Sequence, residues 1–173
     1  MDATDLRLLR ELQTDARQSN VALAAKVGLT EGAVRRRIDN LLATHAFRVV
    51  AVADPELLGL STHAVIGLKA DLAHIDQLSS ELSAMRELSY VYETTGQFDL
   101  IIVGFFRSNE DLREFLTKKL SLLNGISNTD TFVVMRTVKR SFRWGEPFLA
   151  EDTEGDGQGS EPSAVASDGS AHV

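Results

Sequence analysis

Three consecutive arginines, Arg35, Arg36 and Arg37, stand in the stretch GLTEGAVRRRIDNL of a 173-residue chain whose formal net charge is -7. A guanidinium is a planar fork of donors that pairs with carboxylates, with phosphates or with the acceptor edge of guanine. The triplet is therefore the strongest chemical signal in the chain. Other chemistries are poorly served. Without cysteine there is no disulfide, thiolate metal site or cysteine nucleophile. His45, His63, His74 and His172 follow no metal-ligand spacing, so neither metal nor cofactor is expected.

The negative charge is unevenly placed. Residues 146–173 hold seven acidic residues and no Lys or Arg, which leaves 18 acidic and 18 basic residues before them. A segment such as EDTEGDGQGSEPSAVASDGS has almost nothing to bury, so 146–173 reads as a disordered acidic tail. No stretch approaches the roughly 18 apolar residues of a membrane span, and MDATDLRL lacks a secretory pattern. A soluble, cytoplasmic protein is expected, with no membrane partner.

What the arginines can reach depends on the elements that carry them. Residues 1–45 predict three helices. Asp2 and Asp5 open the first, with Leu6, Leu8, Leu9 and Leu12 at helical spacing. Ser19 starts the second, where Val21, Ala24 and Val27, or Leu23 and Val27, share a buried face. That helix stops at Gly28, and Thr30 caps a third beginning at Glu31. Two short helices joined by a tight turn with glycine form a helix-turn-helix, the pattern that lays its second helix in the major groove.

Helical geometry separates the three arginines. With Val34 at the centre of the buried face, Ile38 and Leu41 fall within about 40° of it, while Gly32, Arg36 and Asp39 lie about 140–200° away. Arg36 is therefore the candidate base reader. Gly32, one turn earlier, lets backbone approach DNA. Arg35, on the flank, suits a phosphate, as do Arg17, Ser19 and Asn20 at the start of the second helix. Thr30 and Glu31 complete the candidate DNA contacts. Arg37, about 60° from the core centre, is expected to pack its stem and find a carboxylate. Residues 1–45 sum to only +1, so one head would bind weakly and a dimer is required.

Residues 46–61 read as a connecting strand, RVVAVADP, and a linker. Residues 62–145 then alternate strand and helix: THAVIGLKA, LAHIDQLSSELSAM, ELSYVYETTG, FDLIIVGFF, EDLREFLTKKLSLL and ISNTDTFVVMRTVKR. The expected fold class is α+β, a trihelical head joined to a ferredoxin-like βαββαβ domain. The second and third strands join as a hairpin at Gly96 and Gln97. One sheet face lacks helices, with Val65, Tyr90, Tyr92, Ile102, Val133 and Met135 as candidates to line it. Pairing two such faces would supply the homodimer.

The blocks MDATDLRLLRELQTDARQS, LAAKVGLT with VRRRIDNL, VADPELLGLS, TTGQFDLIIVG and NTDTFVVM together resemble transcriptional regulators of the leucine-responsive regulatory protein family, the Lrp/AsnC or feast/famine group. The resemblance runs from Asp2 to about Trp144. It implies a one-component, non-enzymatic regulator that binds double-stranded DNA, assembles from dimers into tetramers or octamers, and senses an amino acid or similar small-molecule effector. It also places that effector near Gly96, Gln97, Phe98 and Asp99, with Thr129, Asp130 and Thr131 beside the same pocket. Two departures stand out. Ala43, Thr44, His45 and Ala46 occupy the place of a usual glycine, and Phe98 replaces the commonest tyrosine. The alternatives are a metabolite-binding oligomer without DNA affinity and an enzyme similar to siroheme decarboxylases.

Overall fold

The computed structural model describes residues 1–144, in two units: Met1–Val49 together with Ser141–Trp144, and Val50–Arg140. The acidic tail expected at 146–173 lies outside the described residues.

The first unit holds α1 (Ala3–Thr14), α2 (Asn20–Val27) and α3 (Glu31–Ala43). Asp2 and Asp5 form a reciprocal capping box at the start of α1, each carboxylate accepting the other residue's backbone N–H at 2.9 Å. Leu8, Leu23, Ala24, Val27 and Val34 form the core, with Leu12, Leu29 and Ile38 packed on it. Val21 departs from expectation. It is exposed on α2, whose buried face runs instead through Leu23, Ala24 and Val27.

The end of α3 shows how this chain manages without a glycine. His45 N–H donates to the Leu42 carbonyl and Ala46 N–H to the Leu41 carbonyl, the paired bonds of a Schellman cap. His45 takes the left-handed position of that motif, with φ 56°. A side chain there costs about 1–2 kcal/mol, partly offset by glycine's greater freedom in the unfolded chain. His45→Gly is therefore expected to stabilise the head by about 0.5–1 kcal/mol. Chemical denaturation of parent and variant reads this directly; a lower midpoint in the variant would show that the imidazole makes a stabilising contact.

The second unit runs β1 (Thr62–Ala70), α4 (Ile75–Ser83), β2 (Leu88–Glu93), β3 (Leu100–Phe106), α5 (Asn109–Lys118) and β4 (Ile126–Val133). The strands form one antiparallel sheet in the order β2-β3-β1-β4, the expected ferredoxin-like arrangement. Leu78 and Leu82 of α4 and Leu112 and Phe115 of α5 pack on Ala64, Ile66, Leu68, Leu100, Ile102 and Phe106. Both helices thus cover one sheet face.

Several expectations need correction. Ile102 is fully buried under the helices and does not line the open face. Val133 pairs with Ala64, which sets it on the helix side, and Met135 lies beyond the strand. Residues opposite one another in a sheet share a face. On that rule Val65, Tyr90 and Tyr92 do line the open side, together with Val103 and Phe132. The segment RVVAVADP forms no strand; Val49, Val50 and Val52 are exposed there without a pairing partner. The helix opened by Ser108 ends at Lys118, before the expected Gly125 stop, and gives way to a short 3-10 turn at Leu120–Leu122. By contact, Ser141–Trp144 group with the first unit.

Candidate functional site

The helix-turn-helix is built by local chemistry. Ser19 Oγ accepts the Ala22 N–H at 3.2 Å and caps α2, and Gly28 at φ 71° reverses the chain. Thr30 Oγ1 then caps α3 by accepting the Ala33 N–H at 3.3 Å. Because Val34 and Leu41 are buried, the opposite side of α3 faces outward. Glu31, Gly32, Arg35 and Arg36 are all exposed there. A Cβ added at Gly32 would meet no atom within 4 Å, so packing within the chain does not require a glycine.

The three arginines separate as geometry predicts. Arg37 Nη1 donates to Asp2 Oδ2 and Asp5 Oδ1, each at 2.7 Å, tying α3 to the capping box of α1. The Asp2 carboxyl is held below its ordinary range by the Asp5 N–H first and by Arg37 second. Arg35 reaches only Asp39, at 3.9 Å and in solvent, a pairing of little energetic weight. Among the described residues Arg36 has no hydrogen-bond or ion-pair partner. Arg17 is exposed before α2, with its backbone N–H held by Asp15. Lys26, by contrast, is engaged by Glu11 and Gln18. Seven of the eight candidates, Arg17, Ser19, Thr30, Glu31, Gly32, Arg35 and Arg36, are thus exposed, while Asn20 is half-buried as the first residue of α2.

The hairpin loop is longer than its two-residue reading. It spans Thr94–Asp99, closed by the Thr94 N–H to the Asp99 carbonyl at 2.9 Å and by Thr94 Oγ1 to the Phe98 carbonyl at 2.7 Å. Gly96, at φ 108°, permits the turn. The Asp99 carboxylate accepts from Ala70 N–H at 2.8 Å and Lys69 Nζ at 3.0 Å, contacts that hold it below the ordinary aspartate range. Asp99 therefore pins the loop to β1. Phe98 lies over Gly67: a Cβ built at Gly67 would sit 2.6 Å from the ring. Asp130 is the cross-strand partner of Gly67, which places it on the same sheet face as Phe98. Thr129 and Thr131 pair with Leu68 and Ile66 and take the opposite face, so one chain does not gather all three residues into one pocket. Thr129 instead lines a cleft of about 370 Å³ with Leu116, Leu120 and Ser127.

Gly67 and Lys69 went unrecognised in the sequence. A glycine interrupting an otherwise apolar strand was the available signal for the first, since it marks close approach of another group. Nothing in the spacing marked Lys69 as the partner of a residue 30 positions away.

Residues 1–42 match the family profile of the AsnC-type helix-turn-helix domain, and residues 63–144 match the Lrp/AsnC ligand binding domain. The chain is 31% identical over 144 residues to an HTH-type transcriptional regulator of Pyrococcus horikoshii, covering 83% of this chain and 97% of that one. Its fold is similar to that of AsnC from E. coli, with a TM-score of 0.74 at 22% identity over 81% of this chain and 95% of the other. It is also similar to a transcriptional regulator of Neisseria meningitidis solved as a complex with L-Met, with a TM-score of 0.75 at 22% identity over 82% and 94% of the two chains.

Proposed function

Because the chain belongs to the Lrp/AsnC family of DNA-binding transcriptional regulators, we propose that it reads duplex DNA with the exposed side of α3, as a dimer formed through the open sheet face. Arg36 pairs with a guanine edge in the major groove, a fit for its unengaged donor fork. Arg35, Arg17, Ser19, Asn20 and Thr30 surround it and set the register against the backbone, while the Glu31 carboxylate, an acceptor only, suits a base-edge donor such as the cytosine amino group. The observation that carries this reading is the contrast along α3: Arg37 is consumed by two carboxylates, whereas Arg36 next to it has no partner among the described residues. A titration of duplex affinity against salt tests it. A regulator loses affinity steeply as salt rises, because bound phosphates release counterions; a metabolite-binding oligomer or an enzyme gives no salt-dependent duplex binding.

Gly32 supplies a prediction whose two halves have opposite signs. In an exposed helix, Gly32→Ala is expected to stabilise the fold by about 1 kcal/mol. The same methyl keeps the α3 backbone from approaching the groove, so duplex affinity falls. Thermal denaturation and binding measured side by side decide it. A stabilised variant that binds as tightly as the parent removes Gly32 from the contact.

The effector reading rests on the hairpin. Backbone donors of Gly96, Gln97 and Phe98, together with the Asp130 carboxylate on the Phe98 face, suit the two charged groups of a free amino acid. The complex of the Neisseria relative with L-Met supports that ligand class. Thr129 and Thr131, on the other sheet face, contribute only where a second chain brings its loop to them. Asp99 acts through position, by fixing the loop to β1. A thermal-shift screen against the common amino acids is expected to yield a ligand that raises the midpoint. Asp99→Ala then loses that shift and keeps duplex binding; retention of the full shift excludes the hairpin as the site.

A further inference from the structure

The head leaves cations unengaged on α3, and the chain carries anions beyond its described part. Asp2 and Asp5 are engaged by Arg37, and Glu11 by Lys26. No head carboxylate stands nearer to Arg35 than Asp39 at 3.9 Å, and Arg36 has no partner among the described residues. Past Trp144 the sequence holds Glu146, Glu151, Asp152, Glu154, Asp156, Glu161 and Asp168, without one Lys or Arg.

Where the chain leaves the described residues decides which surface these carboxylates can meet. Trp144 donates its backbone N–H to Gln13 Oε1 of α1 at 2.8 Å, and Ser141–Trp144 group with the head. Glu151 follows seven residues after Trp144 and Asp156 twelve. At about 3.3–3.6 Å per residue, that length spans up to roughly 25–40 Å. A folded unit of this size has a radius of gyration of only about 9 Å. Every face of the head is therefore within reach of the acidic cluster.

We propose that the acidic segment Glu146–Asp168 occupies the exposed side of α3 when DNA is absent and competes with DNA for Arg35 and Arg36. The inference rests on the reading of α3 as the DNA-contacting surface. Tethering gives the segment a high effective concentration, while each contact is an exposed, salt-screened pair. Such a competitor is displaced by the dense phosphates and base contacts of a cognate site. It holds off weakly bound, non-cognate duplex, so its effect is selectivity.

The test uses the full chain with its acidic segment neutralised in place: Glu146→Gln, Glu151→Gln, Asp152→Asn, Glu154→Gln, Asp156→Asn, Glu161→Gln and Asp168→Asn. In the DNA-free protein, the arginine Nε–H and backbone amide NMR resonances of Arg35 and Arg36 are expected to move between parent and variant. Affinity for random-sequence duplex is expected to rise about tenfold at low salt, a gain that shrinks as salt screens the competitor. Unchanged α3 resonances overturn the contact, even if affinity rises, because a loss of distant repulsion would raise it without touching α3. Resonances that move while duplex affinity stays the same overturn the competition. A parent that binds no duplex at any salt overturns the DNA-contacting reading instead, and the α3 resonances then still decide whether the segment sits there.

Discussion

Arg36→Ala is expected to lower affinity for a cognate duplex by about 1–3 kcal/mol per head, roughly 5- to 150-fold, while leaving the fold as stable as the parent. The loss follows from removing a bidentate base contact. Stability is unaffected because the side chain is exposed and unpartnered among the described residues. Its neighbours calibrate the result. Arg35→Ala, losing a phosphate contact, weakens cognate and random duplex alike and reduces the salt slope by about one per head. Arg37→Ala strips Asp2 and Asp5 of their shared cation and is read in the thermal midpoint before it is read in DNA binding. If Arg36→Ala instead matched Arg35→Ala, losing affinity without losing discrimination, Arg36 would be a second phosphate contact.

The second large effect is expected at the open sheet face. Tyr90, Tyr92 and Phe132 are 42%, 47% and 56% exposed in the single chain, and the two tyrosine rings stack 5.6 Å apart. Val65 and Val103 lie between them across β1 and β3. A face of this kind is stabilised by a second copy related by a two-fold axis. The double substitution Tyr90→Lys and Phe132→Lys places four cations in such an interface. It should yield a folded monomer, because the core of Ile66, Leu68, Leu100 and Ile102 lies on the other side of the sheet. Losing the partner also removes the effective concentration of the second head, which costs about 10²- to 10⁴-fold in duplex affinity. Sedimentation measures the first effect and duplex titration the second. An unchanged sedimentation coefficient would place the dimer contact elsewhere.

The head was largely legible because one period governs it. Apolar spacing set Val34 and Leu41 inward, and the 100° rule then separated three adjacent arginines that composition alone could not distinguish. The identity of the Arg37 partners was hidden, since Asp2 and Asp5 lie more than 30 positions away, and the exposure of Val21 was not distinguished from the burial of Leu23. The sheet was less legible. FDLIIVGFF is apolar at nearly every position, so alternation could not say which residues face the helices, and Ile102 was placed on the wrong side. Thr129, Asp130 and Thr131 carry a plainer lesson, because neighbours on a strand alternate between faces, so within one chain they do not share a side of the sheet. The connecting segment was misread for another reason. Its valines are β-prone, but a strand needs a partner, and the single chain offers none. At the end of α3 the missing glycine did not abolish the cap, because His45 adopts the left-handed geometry itself.

The most direct measurement is binding-site selection from a random duplex pool, run in parallel on the parent and on Arg36→Ala. The parent should select a two-fold symmetric site whose half-sites lie about one helical turn apart. The variant should recover that same spacing with one guanine per half-site no longer enriched. An identical selected site from both proteins would contradict the assignment of Arg36 as the base reader, and with it the claim that the outward side of α3 carries the specificity of this regulator.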